Sequence, residues 1–63
     1  MSDKQLITYQ EAARFLGLPR GTLYAMVHQN RVPHIRLGRR LVRFDQEQLR
    51  EFVDAHRIEV QQP

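Results

Sequence analysis

Arginine side chains carry the clearest chemical signal in the sequence. Residues 12–44 hold seven arginines and no acid, a net charge of +7, whereas residues 1–11 carry −1 and residues 45–63 carry −3. A guanidinium group forms paired hydrogen bonds with phosphate oxygens and guanine edges. Because folded domains usually mix charges of both signs on their surfaces, this acid-free block predicts a basic surface for a polyanion.

Other chemistries find little support in the residue types. The three histidines, His28, His34 and His56, lack the spacing of metal ligands, and there is no cysteine to join them. There is no glycine-rich phosphate loop, and the one serine, Ser2, lies near the start of the chain. A 63-residue domain also offers little scaffold for a catalytic pocket. We therefore expect no enzyme activity, no metal and no cofactor.

No apolar run approaches the roughly 20 residues of a membrane span, and the charged start does not resemble a signal peptide. We expect a cytoplasmic protein with no membrane partner. One domain over residues 6–57, with flexible ends at 1–5 and 58–63, accounts for the whole sequence.

Two short helices are predicted first. Thr8 and Glu11 have the spacing of a capping box, apolar residues follow at helical intervals, and Gly17 suits a left-handed cap, which predicts helix 1 at about 9–16. A turn containing Pro19 leads to helix 2 at about 20–29, with Asn30 as a second left-handed cap. Two helices joined by so short a turn have helix-turn-helix spacing.

Alternating residues between Val32 and Phe44 predict a two-stranded hairpin, with Gly38 supplying a positive φ at its turn. Asp45 then caps helix 3, at about 46–57. The predicted order is α-α-β-β-α, a mainly helical domain of the α+β class. The predicted core comprises Ala12, Ala13, Leu16, Leu18, Leu23, Val27, Ile35, Val42, Phe44, Leu49, Phe52 and Val53, with Phe15 closing helix 1 against helix 3.

The residues that would meet DNA lie on helix 2 and the hairpin. The second helix of a helix-turn-helix enters the major groove, and here it offers Arg20, Gly21, Thr22, Tyr24, Ala25 and His28. Alternatively, the ring of Tyr24 lies across the contact with helix 1. The hairpin carries Arg36, Arg39, Arg40 and Arg43, which can enter a minor groove; charged residues also serve to block edge pairing. Leu41 could touch a groove wall, a neighbouring molecule or the hairpin stem.

Three stretches resemble excisionase-type domains, which share the winged-helix fold of the MerR class. They are the run from Leu6 to Leu18, the run from Arg31 to Arg40, and Phe44-Asp45 followed by Leu49, together spanning residues 6–57. The resemblance implies a winged helix-turn-helix that binds double-stranded DNA, with helix 2 in the major groove and the hairpin as a wing in the minor groove. Pro19 and Gly21 stand where the family commonly has serines, so two phosphate-binding hydroxyls are missing.

The resemblance implies an excisionase-like architectural factor, with a small transcription regulator as the alternative role. We also expect head-to-tail contacts between copies on DNA, through the acidic helix 3 and the basic wing, and a recombinase as a further partner. No small-molecule ligand is expected, because the long dimerising helix of the MerR proteins is absent. A different class of function, in which the arginine block docks an acidic protein, stays open at this point.

Overall fold

The structure, a computed structural model, describes residues 5–58 of the chain. Within them the elements run β1 (Leu6–Ile7), α1 (Tyr9–Leu16), α2 (Arg20–His28), β2 (Ile35–Gly38), β3 (Leu41–Asp45) and α3 (Gln46–Ala55). The α+β class and the order α-α-β-β-α are confirmed, with β1 as an addition at the start. The predicted flexible ends, apart from Gln5 and Ile58, lie outside the described residues.

Strand β1 is too short for any alternation to reveal it in the sequence. It pairs antiparallel with the end of β3, where Leu6 faces Asp45 and Ile7 faces Phe44. The sheet order is β1-β3-β2, so β3 is the central strand. This pairing ties the segment before α1 to the sheet that carries the hairpin.

The first helix begins and ends at the predicted residues. The Thr8 hydroxyl accepts the Glu11 N–H at 3.2 Å, and a Glu11 carboxylate oxygen accepts the Thr8 N–H at 3.0 Å, so the capping box is complete. Gly17 ends the helix with φ of 70°, a conformation that costs little only for glycine. The N–H of Leu18 then donates to the Ala13 carbonyl at 2.9 Å. These bonds fix where the chain turns towards α2.

The second helix follows after three residues, as predicted. Pro19 occupies the cap position with φ of −61°, where its missing N–H costs nothing. The helix ends at His28, one residue before the predicted end, and Asn30 adopts the left-handed conformation with φ of 55°. Helices α1 and α2 therefore form a helix-turn-helix.

The hairpin differs from prediction in the conformation of its turn and in which residues of β2 lie on each face of the sheet. Gly38 pairs with Leu41 across a turn made of Arg39 and Arg40, and Gly38 has no positive φ. Instead, pairing is irregular between Arg36 and Gly38, so that Leu37 is an extra residue in β2. Such a bulge adds local twist, which replaces the twist that a positive-φ turn would supply.

Because of this register, Arg36 lies opposite Val42 and shares its face of the sheet. Leu37 is 55% exposed, and Ile35 lies opposite Arg43 on the other face. The prediction that Ile35 belongs to the core is wrong, since Ile35 is only half-buried and lies outside the central cluster.

The third helix is capped as predicted. An Asp45 carboxylate oxygen accepts the N–H of Glu47 at 2.9 Å and that of Gln48 at 3.5 Å. The helix ends at Ala55, two residues before the predicted end. The His56 ring then lies 4.3 Å from the Phe52 ring. Asp45 is buried, so the surface acids of this helix are Glu47, Glu51 and Asp54.

Most of the predicted core is confirmed. The buried cluster comprises Ala12, Ala13, Leu23, Val27, Val32, Val42, Phe44 and Leu49, with Leu16 and Phe52 packed against it. Val32 was missed because it precedes Pro33 in a loop without periodicity. Leu18 is only half-buried and lies outside the cluster, and Val53 is 39% exposed, contrary to prediction. Phe15, expected beside the core and not in it, is 38% exposed. No helix within residues 5–58 has the length and apolar character that a membrane crossing requires.

Candidate nucleic-acid interface

An open cleft of about 750 Å³ separates α2 from the hairpin. Its lining is basic and aromatic at the rim and aliphatic at the floor, where Val27 and Val42 are almost fully buried. The fold thus brings the two predicted contact regions to one concavity. The lining residues are Tyr9, Arg20, Gly21, Tyr24, Val27, His28, Arg36, Arg39, Arg40 and Val42.

One side of α2 faces the cleft. Arg20, Gly21, Tyr24 and His28 follow one another at helical spacing on this side, and all are exposed. Thr22 and Ala25 are exposed as well, but the helical period places them further round the helix, and they do not line the cleft. The predicted helix residues therefore divide into four that line the cleft and two that do not.

On the hairpin side the cleft is lined by arginines. Arg39 and Arg40 form the turn, and Arg36 reaches the cleft because it shares the face of Val42. Arg43 lies on the opposite face, half-buried, and its guanidinium donates to the Val42 carbonyl at 2.9 Å. The structure therefore brings three of the four hairpin arginines into the cleft and leaves Arg43 outside it.

Leu41 follows the hairpin turn and is 44% exposed. Its Cβ lies 3.6 Å from where a side chain on Gly38 would begin. The residue therefore packs close to the end of the hairpin stem while leaving part of its side chain on the surface.

A row of rings forms one wall of the cleft. The Tyr24 ring is 4.6 Å from the His28 ring and 5.8 Å from the Tyr9 ring, while Tyr9 meets the buried Phe44 edge-on at 5.2 Å. Tyr24 is 54% exposed, so it both crosses the contact with α1 and presents its ring to the cleft. Tyr9 was missed as a site residue, because the sequence pattern places it only at the start of the apolar stripe of α1.

The charge of the cleft is uncompensated. Arg20, Arg36, Arg39 and Arg40 form no ion pair with an acid among residues 5–58, where the acidic side chains cap helices or lie on α3. Four cations in one concavity repel each other and attract an anion with several charges. The described residues contain no group of three or more side chains able to hold a metal ion.

The start of α2 adds backbone donors to this basic surface. No side chain caps the helix, and its first turn contains no acid. The first N–H groups of a helix point outward without intrahelical partners, and the helix dipole favours negative charge there. With Arg20 beside them, these groups suit a phosphate oxygen.

A helix-turn-helix whose second helix faces a basic hairpin has the architecture of a DNA-binding domain. The chain belongs to the helix-turn-helix domain family, whose model matches residues 6–57. This family occurs in excisionase-like small DNA-binding proteins and is typically non-enzymatic. Comparison with the curated proteins and with the solved structures gives no match. The chain is therefore a DNA-binding helix-turn-helix protein.

Proposed function

We propose that this protein binds specific sites in double-stranded DNA, with α2 in the major groove and the β2–β3 wing in the adjacent minor groove. The base-edge and phosphate contacts of α2 are assigned to Arg20, Gly21, Thr22, Tyr24, Ala25 and His28. Those of the wing are assigned to Arg36, Arg39, Arg40 and Arg43. The protein would act on bacterial or phage DNA in the cytoplasm.

The observation that carries the proposal is the cleft between α2 and the wing. Its four arginines have no acidic partners among the described residues, and two of them, Arg39 and Arg40, stand at the tip of a narrow hairpin. A basic cleft of this kind fits the phosphate backbone that separates a major groove from the adjacent minor groove. A hairpin tip carrying arginines matches the negative potential of a narrow minor groove.

Binding is tested by selecting duplexes from a random library and measuring affinity across a salt titration. A logarithmic salt slope equivalent to about five or more phosphate contacts is expected. Hydroxyl-radical footprinting on the selected site should protect one major groove and the neighbouring minor groove. Failure to bind any duplex at low salt would contradict the proposal.

The biological role that we propose is that of an excisionase-like architectural factor, with transcription regulation as the second candidate. The small size of the reading surface supports the first role, because a single small module buries only about 600–1,000 Å² on DNA and gains from adjacent sites. Gel mobility with the site placed at different positions along a fragment measures bending. A recombination assay that adds the protein to an integrase and its attachment sites would separate the two roles, since only the first role requires a recombinase.

We also propose contacts between neighbouring copies on DNA, and the distribution of charge supports them. Glu47, Glu51 and Asp54 are exposed and recur at i, i+4 and i+7 on α3, opposite the buried Leu49. This stripe is complementary in sign to the wing of a second copy. A head-to-tail contact of this type generates a row along DNA rather than a closed dimer.

The candidate from a different class is a protein-interaction module whose cleft docks an acidic partner. The lack of carboxylates in the cleft favours any polyanion equally. Competition decides between the two: a selected duplex should displace an acidic peptide, and scrambling the duplex should weaken its competition. Equal competition by selected and scrambled duplexes would favour the interaction module.

A further inference from the structure

Tyr9 belongs to α1, the helix that a helix-turn-helix does not insert into DNA, yet it reaches the cleft. Its ring is held on two sides, edge-on against Phe44 at 5.2 Å and tilted against Tyr24 at 5.8 Å. The side chain is half-buried and lines the cleft with Arg36. The packing leaves the ring little freedom, so the position of its hydroxyl is fixed by the core.

The hydroxyl itself has no structural role in the described part of the chain. It forms no hydrogen bond with any of residues 5–58. A phenylalanine would fill the same space against Phe44 and Tyr24. The hydroxyl oxygen is not enclosed by the protein, because the described residues contain no buried side-chain polar atom that lacks a partner. It is therefore open at the cleft and free to bond a ligand.

The surroundings of this hydroxyl identify the kind of ligand. Burial and the neighbouring Tyr24 raise the pKa of Tyr9, while the positive charge of Arg36 opposes them. The hydroxyl therefore lies within electrostatic reach of Arg36 and stays protonated, as a hydrogen-bond donor. A neutral donor beside a guanidinium group fits an oxygen that carries negative charge.

We infer that the Tyr9 hydroxyl donates a hydrogen bond to a backbone phosphate of the DNA strand that crosses the cleft between α2 and the wing. This inference rests on the proposed function. It makes α1 a third DNA-contacting element, through a residue anchored on the core. Because its ring also supports Tyr24, Tyr9 links the position of that phosphate to the position of α2.

The test compares the intact protein with Tyr9→Phe, which retains the ring and removes only the hydroxyl. Affinity for the selected duplex should fall about tenfold, the value of one hydrogen bond to a charged group. The salt slope should stay unchanged, because a neutral donor displaces no counterions. Gln10→Ala changes an exposed neighbour outside the cleft and serves as the matched control, with wild-type affinity expected.

A second measurement identifies the phosphate. In duplexes that each carry a single methylphosphonate, one position should abolish the difference between wild type and Tyr9→Phe, whereas other positions should preserve it. Equal affinity of the two proteins for the unmodified duplex would overturn the inference while leaving the proposed function intact. A difference that persists at every methylphosphonate position would also overturn it, since no phosphate would then be the acceptor.

The other outcomes are equally separable. If the wild-type protein binds no duplex, the proposed function fails, and with it this inference. If Tyr9→Phe instead weakens binding of an acidic peptide, the acceptor is a carboxylate and the inference is wrong. Should Tyr9→Phe lower the unfolding temperature, both proteins are compared below the onset of unfolding of the variant, so that any difference in affinity reports the missing hydroxyl and not unfolded protein.

Discussion

Arg36 and Val42 lie directly opposite each other on β2 and β3, so a charged side chain shares a sheet face with a buried valine. The core occupies the inner part of this face, and the cleft opens at its edge. The bulge at Leu37 sets this register and thereby directs Arg36 towards α2. The arginines of the cleft thus differ in origin: Arg36 comes from a strand face, whereas Arg39 and Arg40 come from a turn.

Arg36→Ala and Arg39→Ala should each weaken DNA binding by a similar factor on all sequences. Each removes a contact to the backbone, so each should reduce the salt slope by about 1. Arg50→Ala removes an exposed arginine of α3 that does not line the cleft, and it serves as the control with an unchanged slope. Fluorescence anisotropy between about 50 and 200 mM salt provides the measurement. A wild-type slope for both cleft variants would rule out their phosphate contacts.

Arg20→Ala should behave differently. Arg20 is the first residue of α2, the end of a recognition helix that meets base edges. We expect a loss of about 1–3 kcal/mol on the selected site, with relaxed preference at one base pair. Repeating the selection from a random library with the variant checks this directly. An unchanged consensus, with affinity lowered equally on every duplex, would instead assign Arg20 to a phosphate.

The glycines on either side of Pro19 give a matched pair. Gly17→Ala should destabilise the protein by about 1 kcal/mol, because Gly17 has φ of 70°. Gly21→Ala should stabilise it by about 0.5–1 kcal/mol, because Gly21 is helical and no atom lies within 4 Å of the added Cβ. Thermal unfolding measures both, and shifts of the same sign would contradict this account.

Gly21→Ala also tests how closely α2 seats on DNA. Gly21 lines the cleft, and an added methyl group should cost about tenfold in affinity if the backbone approaches the duplex there. A more stable protein that binds DNA less well would separate the folding effect from the binding effect. Wild-type affinity would indicate that α2 lies further from the groove.

Local signals in the sequence were sufficient for the helices and their caps. Thr8, Gly17, Asn30 and Asp45 act through contacts with residues close to them in the chain, so their roles could be predicted. The sheet face on which Arg36 lies could not be predicted, because the bulge at Leu37 reverses the alternation of inward and outward side chains along β2.

The residue types of the site were predictable from the sequence, but which of these residues line the cleft was not. The acid-free arginine block led directly to the cleft. Arg43, Thr22 and Ala25 were also predicted as contacts, yet they lie outside the cleft lining. Tyr9 was in neither the predicted core nor the predicted site, since one helical stripe cannot distinguish a ring that is enclosed by the core from a ring at its edge. Such distinctions depend on tertiary contacts between α1, α2 and β3.

The raised pKa of Tyr9 predicts a loss of stability in alkaline solution. A folded-state pKa above the ordinary value of 10.0 means that the folded state holds this proton more tightly than the unfolded state. The resulting stabilisation is complete below the ordinary value and disappears as the pH rises through the folded-state value. Unfolding free energies of wild type and Tyr9→Phe, from about pH 8 to about pH 11, should therefore differ in slope above pH 10. Parallel curves would show that Tyr9 titrates alike in both states.

Charge reversal on α3 tests the contact between neighbouring copies. Glu47→Lys with Glu51→Lys changes two exposed residues, one helical turn apart, on the side of α3 opposite the buried Leu49. Binding to a single site should stay within about twofold of wild type, because neither residue lines the cleft. On two adjacent sites, the second copy should lose its cooperative advantage, since two basic surfaces would then face each other. A second copy with a reversed wing, Arg39→Glu with Arg40→Glu, should again attract the reversed α3 of the first copy. The reversed wing also removes the second copy's own DNA contacts. Pairing of the two copies is therefore measured on a duplex with one site, which the first copy occupies. Unchanged cooperativity in the α3 variant would eliminate the head-to-tail contact and leave a monomeric DNA-binding domain.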